Sequence, residues 1–327
     1  MIEVQGLTKY YGRLAAIRDI SFTVQTGSVV GFLGPNGAGK TTTMRILTCY
    51  SPPTSGTVKI LGMDVASQSM SIRRNLGYLP ENVPLYDWMR VHSYLQFVCR
   101  AKGVPSNRRS DEIARVSNAV GLIDVMGKLV KWLSKGYRQR LGLAQALIGD
   151  PPIIILDEPT IGLDPRQIRE IRSLIKGLAK DKTVILSTHI LPEVSQICDR
   201  VIIINKGSLV AEDTPANLLA AKGKSLRCSV TVRVNEKDLK NLVFEIPGVV
   251  SANPGVSGIE GVSMLTVESE PGFEVRSRIA RAIVEKGWDL LELKSIDFSL
   301  EDVFIDLITE ETGESVSGEN SDQKEVA

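Results

Sequence analysis

Val29-Val30-Gly31-Phe32-Leu33-Gly34-Pro35-Asn36-Gly37-Ala38-Gly39-Lys40-Thr41-Thr42 is the stretch on which the reading of the whole chain turns. Its first five residues form a short apolar run, the pattern of a strand buried on both faces, and it ends in a glycine turn. Gly34 to Thr42 then follows the spacing G-x-x-x-x-G-K-[ST], set between that strand and a helical stretch. Glycines let the backbone curl so that successive N–H groups point inward. The helix that follows adds the positive end of its dipole. Such a cradle suits phosphate oxygens, with Lys40 supplying a mobile cation for the outer phosphates and Thr41 a hydroxyl for Mg²⁺. The stretch is read as a site for a nucleoside triphosphate rather than as an incidental turn.

A second apolar run, Ile153-Ile154-Ile155-Leu156, delivers Asp157 and Glu158 at its carboxyl end. Open α/β sheets bind ligands at that edge. Asp157 is expected to hold Mg²⁺, and Glu158, one residue on and pointing differently, to polarise an attacking water as a general base. Alone, the pair reads equally well as an ordinary acidic turn; with the phosphate loop it does not.

Further apolar runs at Thr183–Ser187 and Val201–Ile204 extend the same pattern. The first ~220 residues are therefore expected to form a mostly parallel sheet with helices packed on it. Ser93 to Ala146 carries helical periodicity and few strand signals, so a helical subdomain is placed at about 84–146. A new pattern starts near Leu226, where Cys228, Val230, Val232 and Val234 alternate. Residues 225–308 are read as a separate α+β unit of order βαββαβ, ferredoxin-like, if one strand lies in the Gly/Pro-rich section Pro247–Gly261. Ser299 with Asp302 marks a helix start. The acidic tail 309–327 has almost no large apolar residues and is expected to be disordered.

Net charge is +1, from 39 basic and 38 acidic residues, which argues against nucleic acid as a partner. The cysteines at 49, 99, 198 and 228 are scattered, without a CxxC pair, and read as idle thiols. The start lacks a signal pattern, and no apolar run approaches the ~18–20 residues that span a bilayer. The expectation is a soluble protein whose membrane role, if any, is borrowed from a partner.

The motif order over residues 2–220 resembles the ABC ATPases. Leu133-Ser134-Lys135-Gly136-Tyr137-Arg138-Gln139-Arg140 is similar to the ABC signature, Gly162-Leu163-Asp164-Pro165 to the D-loop, and Ser187-Thr188-His189 to the switch-histidine segment. Gly77 to Glu81 stands at the Q-loop position, and Tyr11 where the family stacks adenine. The resemblance implies a P-loop NTPase cassette that binds ATP through Tyr11, Gly34 to Thr42, Glu81, Ser134, Gly136 and Asp164. Mg²⁺ would be held by Thr41, Glu81 and Asp157, and catalysis carried by Glu158 and His189. It also implies a head-to-tail pair with a second copy of the ATPase, in which Ser134 and Gly136 of one copy cap the ATP held by the other. The other partner is an integral-membrane permease, giving a cytoplasmic, peripheral location on the inner face of the membrane. The segment Tyr86–Arg90, with Trp88 and Met89, falls where the family docks a permease helix.

Three departures stand out: Lys135 for a signature glycine, Tyr137 for the signature glutamine, and Glu81 for the Q-loop glutamine. These forms resemble the gliding-motility-type branch, which works with ABC-2-type, exporter-like permeases, and the C-terminal unit suits that branch as an accessory regulatory or dimerisation module. Two alternatives compete. A translation or DNA-maintenance ATPase would carry two cassettes or a long coiled coil, and the 42–133 interval offers neither. A binder without turnover fits poorly with Glu158 and His189.

Overall fold

The computed structural model describes residues 1–188, 190–222, 227–296 and 299–317. His189 and Leu226, both singled out above, lie outside the described residues, as do residues 318–327. Two compact units divide the described residues, one of Met1–Pro215 with residues 314–317 and one of Ala216–Gly313. The helix Pro215–Lys222 thus begins the second unit rather than closing the first at residue 220.

The first unit is built on a six-stranded sheet. Its order is Ser208–Asp213, Arg200–Asn205, Val29–Leu33, Thr183–Thr188, Ile153–Asp157, Leu76–Leu79. Every pairing is parallel except the edge hairpin between Arg200–Asn205 and Ser208–Asp213. Val29–Leu33, Ile153–Asp157 and Thr183–Thr188 are buried at every residue, which is why they read as continuous apolar runs and not as alternation. Leu33 pairs with Thr188 and Asp157 with Ser187, so the phosphate loop and the acidic pair leave the sheet at one edge.

A second sheet corrects the expectation of one mostly parallel sheet. Leu14–Val24, Ile2–Tyr11, Ser55–Ile60 and Met63–Asp64 pair antiparallel in that order. One face carries Ile2, Val4, Ile20, Phe22, Val58 and Ile60, which share a core with Phe32, Ile155, Ile185 and Ile202 of the parallel sheet. Phe22 and Phe32 meet with ring centroids 5.6 Å apart. Each such fully buried side chain contributes roughly 1.5–3 kcal/mol, so this shared core holds the two sheets together.

The helical insertion comprises Val91–Ala101, Arg109–Val120 and Lys135–Leu147. Ser134 caps the last of these, its Oγ accepting from the Tyr137 N–H.

The second unit follows the expected order: strand Arg227–Arg233, helix Glu236–Phe244, strands Val249–Gly255 and Ser263–Ser269, helix Arg276–Glu285, strand Asp289–Ile296. The sheet is antiparallel, with the fourth strand and then the first, third and second in spatial order, the ferredoxin-like arrangement. Cys228, Val230, Val232, Leu265 and Val267 face both helices and form this unit's own core with Leu239, Val243, Ile279 and Ile283. The last helix, Leu300–Ser317, continues past Thr309, where order was expected to end. Its start carries the expected cap. Asp302 accepts from the Ser299 N–H at 2.9 Å and Ser299 Oγ accepts from the Asp302 N–H at 3.2 Å.

Candidate functional site: the phosphate-loop cleft

Gly34 leaves the sheet where its neighbours allow no side chain. A Cβ there would stand 2.5 Å from the Ile204 carbonyl oxygen. Gly39, at φ 107, caps the helix Lys40–Leu47 with no side-chain acceptor over its first turn. Those N–H groups therefore face the loop interior, and the helix adds its dipole. The loop is pinned from behind, because the Gly207 N–H donates to the Ala38 carbonyl at 3.0 Å.

Lys40 is 7% exposed, and its ammonium donates to the Gly34 carbonyl at 2.7 Å and the Pro35 carbonyl at 3.2 Å. Burial pulls its pKa below the usual lysine value, against the opposing pull of Glu158, Asp157 and Glu81. Asp157 is fully buried, and neither carboxylate oxygen has a hydrogen-bond partner of ordinary geometry. Burial raises its pKa; the nearby hydroxyls of Ser187 and Thr41 act in the other direction. A buried carboxylate supported only by two hydroxyls and the Lys40 charge suits a bound cation. Among the described residues no group of three or more His, Cys, Asp or Glu side chains converges for a metal. Mg²⁺ needs no such cluster, since it takes few protein oxygens and fills its octahedron with water and substrate phosphates. Of the residues expected from the sequence, Thr41, Glu81 and Asp157 would be the ones to hold it.

Glu158 has a left-handed backbone, φ 51, rare for a residue with a side chain. Its N–H donates to the Ser187 carbonyl at 2.9 Å, which fixes the turn as the chain leaves the strand. The side chain is 6% exposed and lines a cleft of about 530 Å³ with Pro35, Asn36, Gly37, Ala38, Gly39, Lys40, Thr41, Thr42 and Glu81. Ala16 and Ile161 complete the lining. Neither bears a chemical group that a sequence motif would flag.

The remaining expected residues stand elsewhere in the first unit. Tyr11, 46% exposed, lies at the end of its strand with the Lys9 ammonium 5.2 Å from its ring, and does not line the cleft. Ser134 is exposed at the start of the signature helix, and Gly136 is covered by the Gln167 side chain. Asp164 caps the helix Pro165–Leu178, accepting from the Gln167 N–H at 2.9 Å. A separate groove of about 570 Å³ is walled by Tyr50, Met70, Arg74, Tyr86, Phe97 and Gln145. Tyr86 stacks on Trp88 at 5.1 Å, and Trp88 is 73% exposed, so it is not a core residue. Arg138 of the signature helix reaches Asp87 at 2.7 Å, and the Val130 N–H donates to the Met89 carbonyl at 2.9 Å. The segment 86–90 is thus bonded directly to the approach to the signature.

The ABC transporter family profile matches residues 17–161, from within the strand Leu14–Val24 to the turn after Glu158. The bacitracin transport ATP-binding protein BcrA of Bacillus licheniformis is 34% identical over 310 residues, 94% of this chain and 97% of its own. The ABC transporter ATP-binding protein YxlF of Bacillus subtilis is 33% identical over 310 residues, 94% of this chain and 99% of its own. The chain belongs to the ABC transporter ATP-binding proteins. Solved cassettes agree. The dimeric, post-hydrolysis structure of the cassette MJ0796 bound to ADP and Pi superposes with a TM-score of 0.62 at 25% identity, over 65% of this chain and 98% of that one. An ATP-binding subunit of an ABC transporter gives 0.63 at 28% identity, over 68% and 93%. As an ABC transporter ATP-binding protein, the chain is the nucleotide-binding subunit of a transporter, and its cleft brings together Pro35 to Thr42, Glu81 and Glu158. No helix among the described residues is long and apolar enough to cross a membrane.

Proposed function

We propose that this subunit hydrolyses ATP with Mg²⁺, closes head-to-tail on a second copy of itself, and drives a separate membrane permease of the ABC-2 exporter type. The observation that carries the reading is the pairing of a fully buried carboxylate, Asp157, with Glu158 held against the phosphate loop. Lys40 and the loop N–H groups bind and orient the phosphates. Bound at Thr41, Glu81 and Asp157, Mg²⁺ would neutralise phosphate charge. Glu158 takes the proton of the attacking water, and His189 is assigned to the γ-phosphate side. Tyr11 is assigned to adenine. Ser134, Gly136 and Asp164, which lie away from the cleft of their own chain, suit contact with the nucleotide of the partner cassette. ATP then acts as the joint between two surfaces, and its hydrolysis releases them.

The export direction is supported by the relatives' names, bacitracin transport among them, and by a probable multidrug ABC transporter ATP-binding protein of Escherichia coli that is 38% identical over 221 residues, 67% of this chain and 38% of its own. The aromatic groove with exposed Trp88 is the proposed seat of the permease, since exposed aromatics favour interfaces. It would place the subunit on the cytoplasmic face of the membrane. The second unit has its own core and is assigned a regulatory or dimer-stabilising role.

Lys40→Ala tests the phosphate-loop reading. It removes a cation facing two or three phosphate charges, so ATP affinity and Mg²⁺-dependent phosphate release should both collapse. Hydrolysis at the wild-type rate would refute the assignment.

A further inference from the structure

Lys135 stands where the signature usually has glycine, and the cleft chemistry does not use it. We infer that Lys135 is a positioning residue: laid across Gly162, it fastens the first turn of the signature helix to the segment that follows Glu158, so that the two move as one body.

Gly162 has φ 71, and its open side is filled by Lys135. The Lys135 Nζ and Cε occupy the place a Cβ of residue 162 would take, with Cδ 2.9 Å from that point. The left-handed backbone at 162 favours glycine, and a side chain there would have to push aside the far end of Lys135, which is exposed. Among the described residues Lys135 makes no ion pair, so packing of its aliphatic stem, rather than charge, sets its course. Two more contacts join the same elements. Gln167 covers Gly136, with its Oε1 2.6 Å from where a Cβ would be. Gln139, 5% exposed, donates from Nε2 to the Pro159 carbonyl at 3.0 Å. Residues 135, 136 and 139 lie in the first five residues of the helix and meet 162, 167 and 159 respectively. Pro159 follows Glu158 directly. In this proposal a shift at Glu158 reaches Ser134 through Gln139 and Gly136, which are buried, and through Lys135, which lies at the surface.

The consequence rests on the paired-cassette reading. There, the signature of one subunit covers the ATP of the other, so Lys135 makes hydrolysis at a subunit's own nucleotide loosen its grip on the partner's. With glycine at 135 the helix keeps two of its three contacts and the two sites communicate less.

The test compares the full-length wild type with Lys135→Gly, which removes the stem, and Lys135→Met, which keeps a stem without charge. Hydrogen exchange on nucleotide-free protein reads the clamp at the amides of Ile161 and Leu163, which bond to the Glu158 and Thr160 carbonyls. Lys135→Gly should speed exchange there by about tenfold, with the rest of the chain unchanged and Lys135→Met near wild type. The ATP dependence of hydrolysis reads the coupling: a Hill coefficient above about 1.5 in wild type and Lys135→Met should fall to about 1 in Lys135→Gly. Unchanged exchange in Lys135→Gly would overturn the clamp. Faster exchange with an unchanged Hill coefficient would overturn the coupling. A wild type that hydrolyses without cooperativity would count against the paired-cassette reading and the coupling together, while exchange still decides the clamp.

Discussion

Asp157 loses its hydration on folding and gains no hydrogen bond of ordinary geometry in return. Its carboxyl therefore has a higher pKa in the native state than the ordinary 3.8, burial being the cause. The native state then binds this proton more tightly than the unfolded state does. Below pH 3.8 both states are protonated and the residue costs nothing. As pH rises from 3.8 through the native value the cost appears, and above that it is fully present. Asp157→Asn removes the charge and keeps the shape. At pH 7, without nucleotide or Mg²⁺, it should stabilise the fold by about 1 kcal/mol. Thermal melts from pH 4 to 8 check this: the variant's advantage should grow with pH and then level off. A variant less stable than wild type at pH 7 would mean that the carboxylate is compensated by the protein itself. The same substitution should abolish Mg²⁺-stimulated hydrolysis.

Arg227 begins the first strand of the second unit and ties it to two other elements. Its Nε donates to Glu268 at 2.7 Å and its Nη1 to Asp302, on the last helix, at 2.6 Å. For Asp302 burial alone would raise the pKa, but bonds from Arg227 and Ser299 outweigh it and hold the carboxyl below its ordinary 3.8. Such a group stabilises fully above the unfolded value and loses its contribution as pH falls through the native one. Arg227→Met should thus cost about 2 kcal/mol at pH 7, as loss of charged hydrogen bonds does, and the deficit should shrink on acidification below pH 4. A constant deficit across that range would assign the cost to packing alone. Legibility varied among the elements. The parallel strands were readable because burial on both faces leaves unbroken apolar runs. The antiparallel sheet was not, because register shifts between Val4 and Leu7 and again to Lys9 and Tyr10 break the alternation that would have announced it. Within the site, Gly34 to Thr42 and Asp157-Glu158 were legible because each works as a contiguous stretch. Ala16 and Ile161 were not, since only folding brings their small or apolar side chains to the cleft.

At the scale of the molecule, each unit closes its own core, around Phe32, Ile155 and Ile202 in the first and Val230, Leu265 and Ile279 in the second. All cleft residues belong to the first. Residues 1–222 alone should therefore fold and bind ATP within about threefold of the full chain, by titration calorimetry, as units with separate cores do. A folded fragment without ATP binding would show that the second unit takes part in the site. The central claim is that Glu158 drives hydrolysis of ATP held by the phosphate loop. Glu158→Gln, under saturating ATP and Mg²⁺, tests it most directly in a single-turnover assay run beside a binding titration. The amide keeps the size and can still bond the water, but it cannot take its proton. Binding should match or exceed wild type, because Lys40, Thr41 and Asp157 are intact. Turnover should fall by about 10²–10⁴. Bound ATP turned over at the wild-type rate would contradict the account and place the base elsewhere.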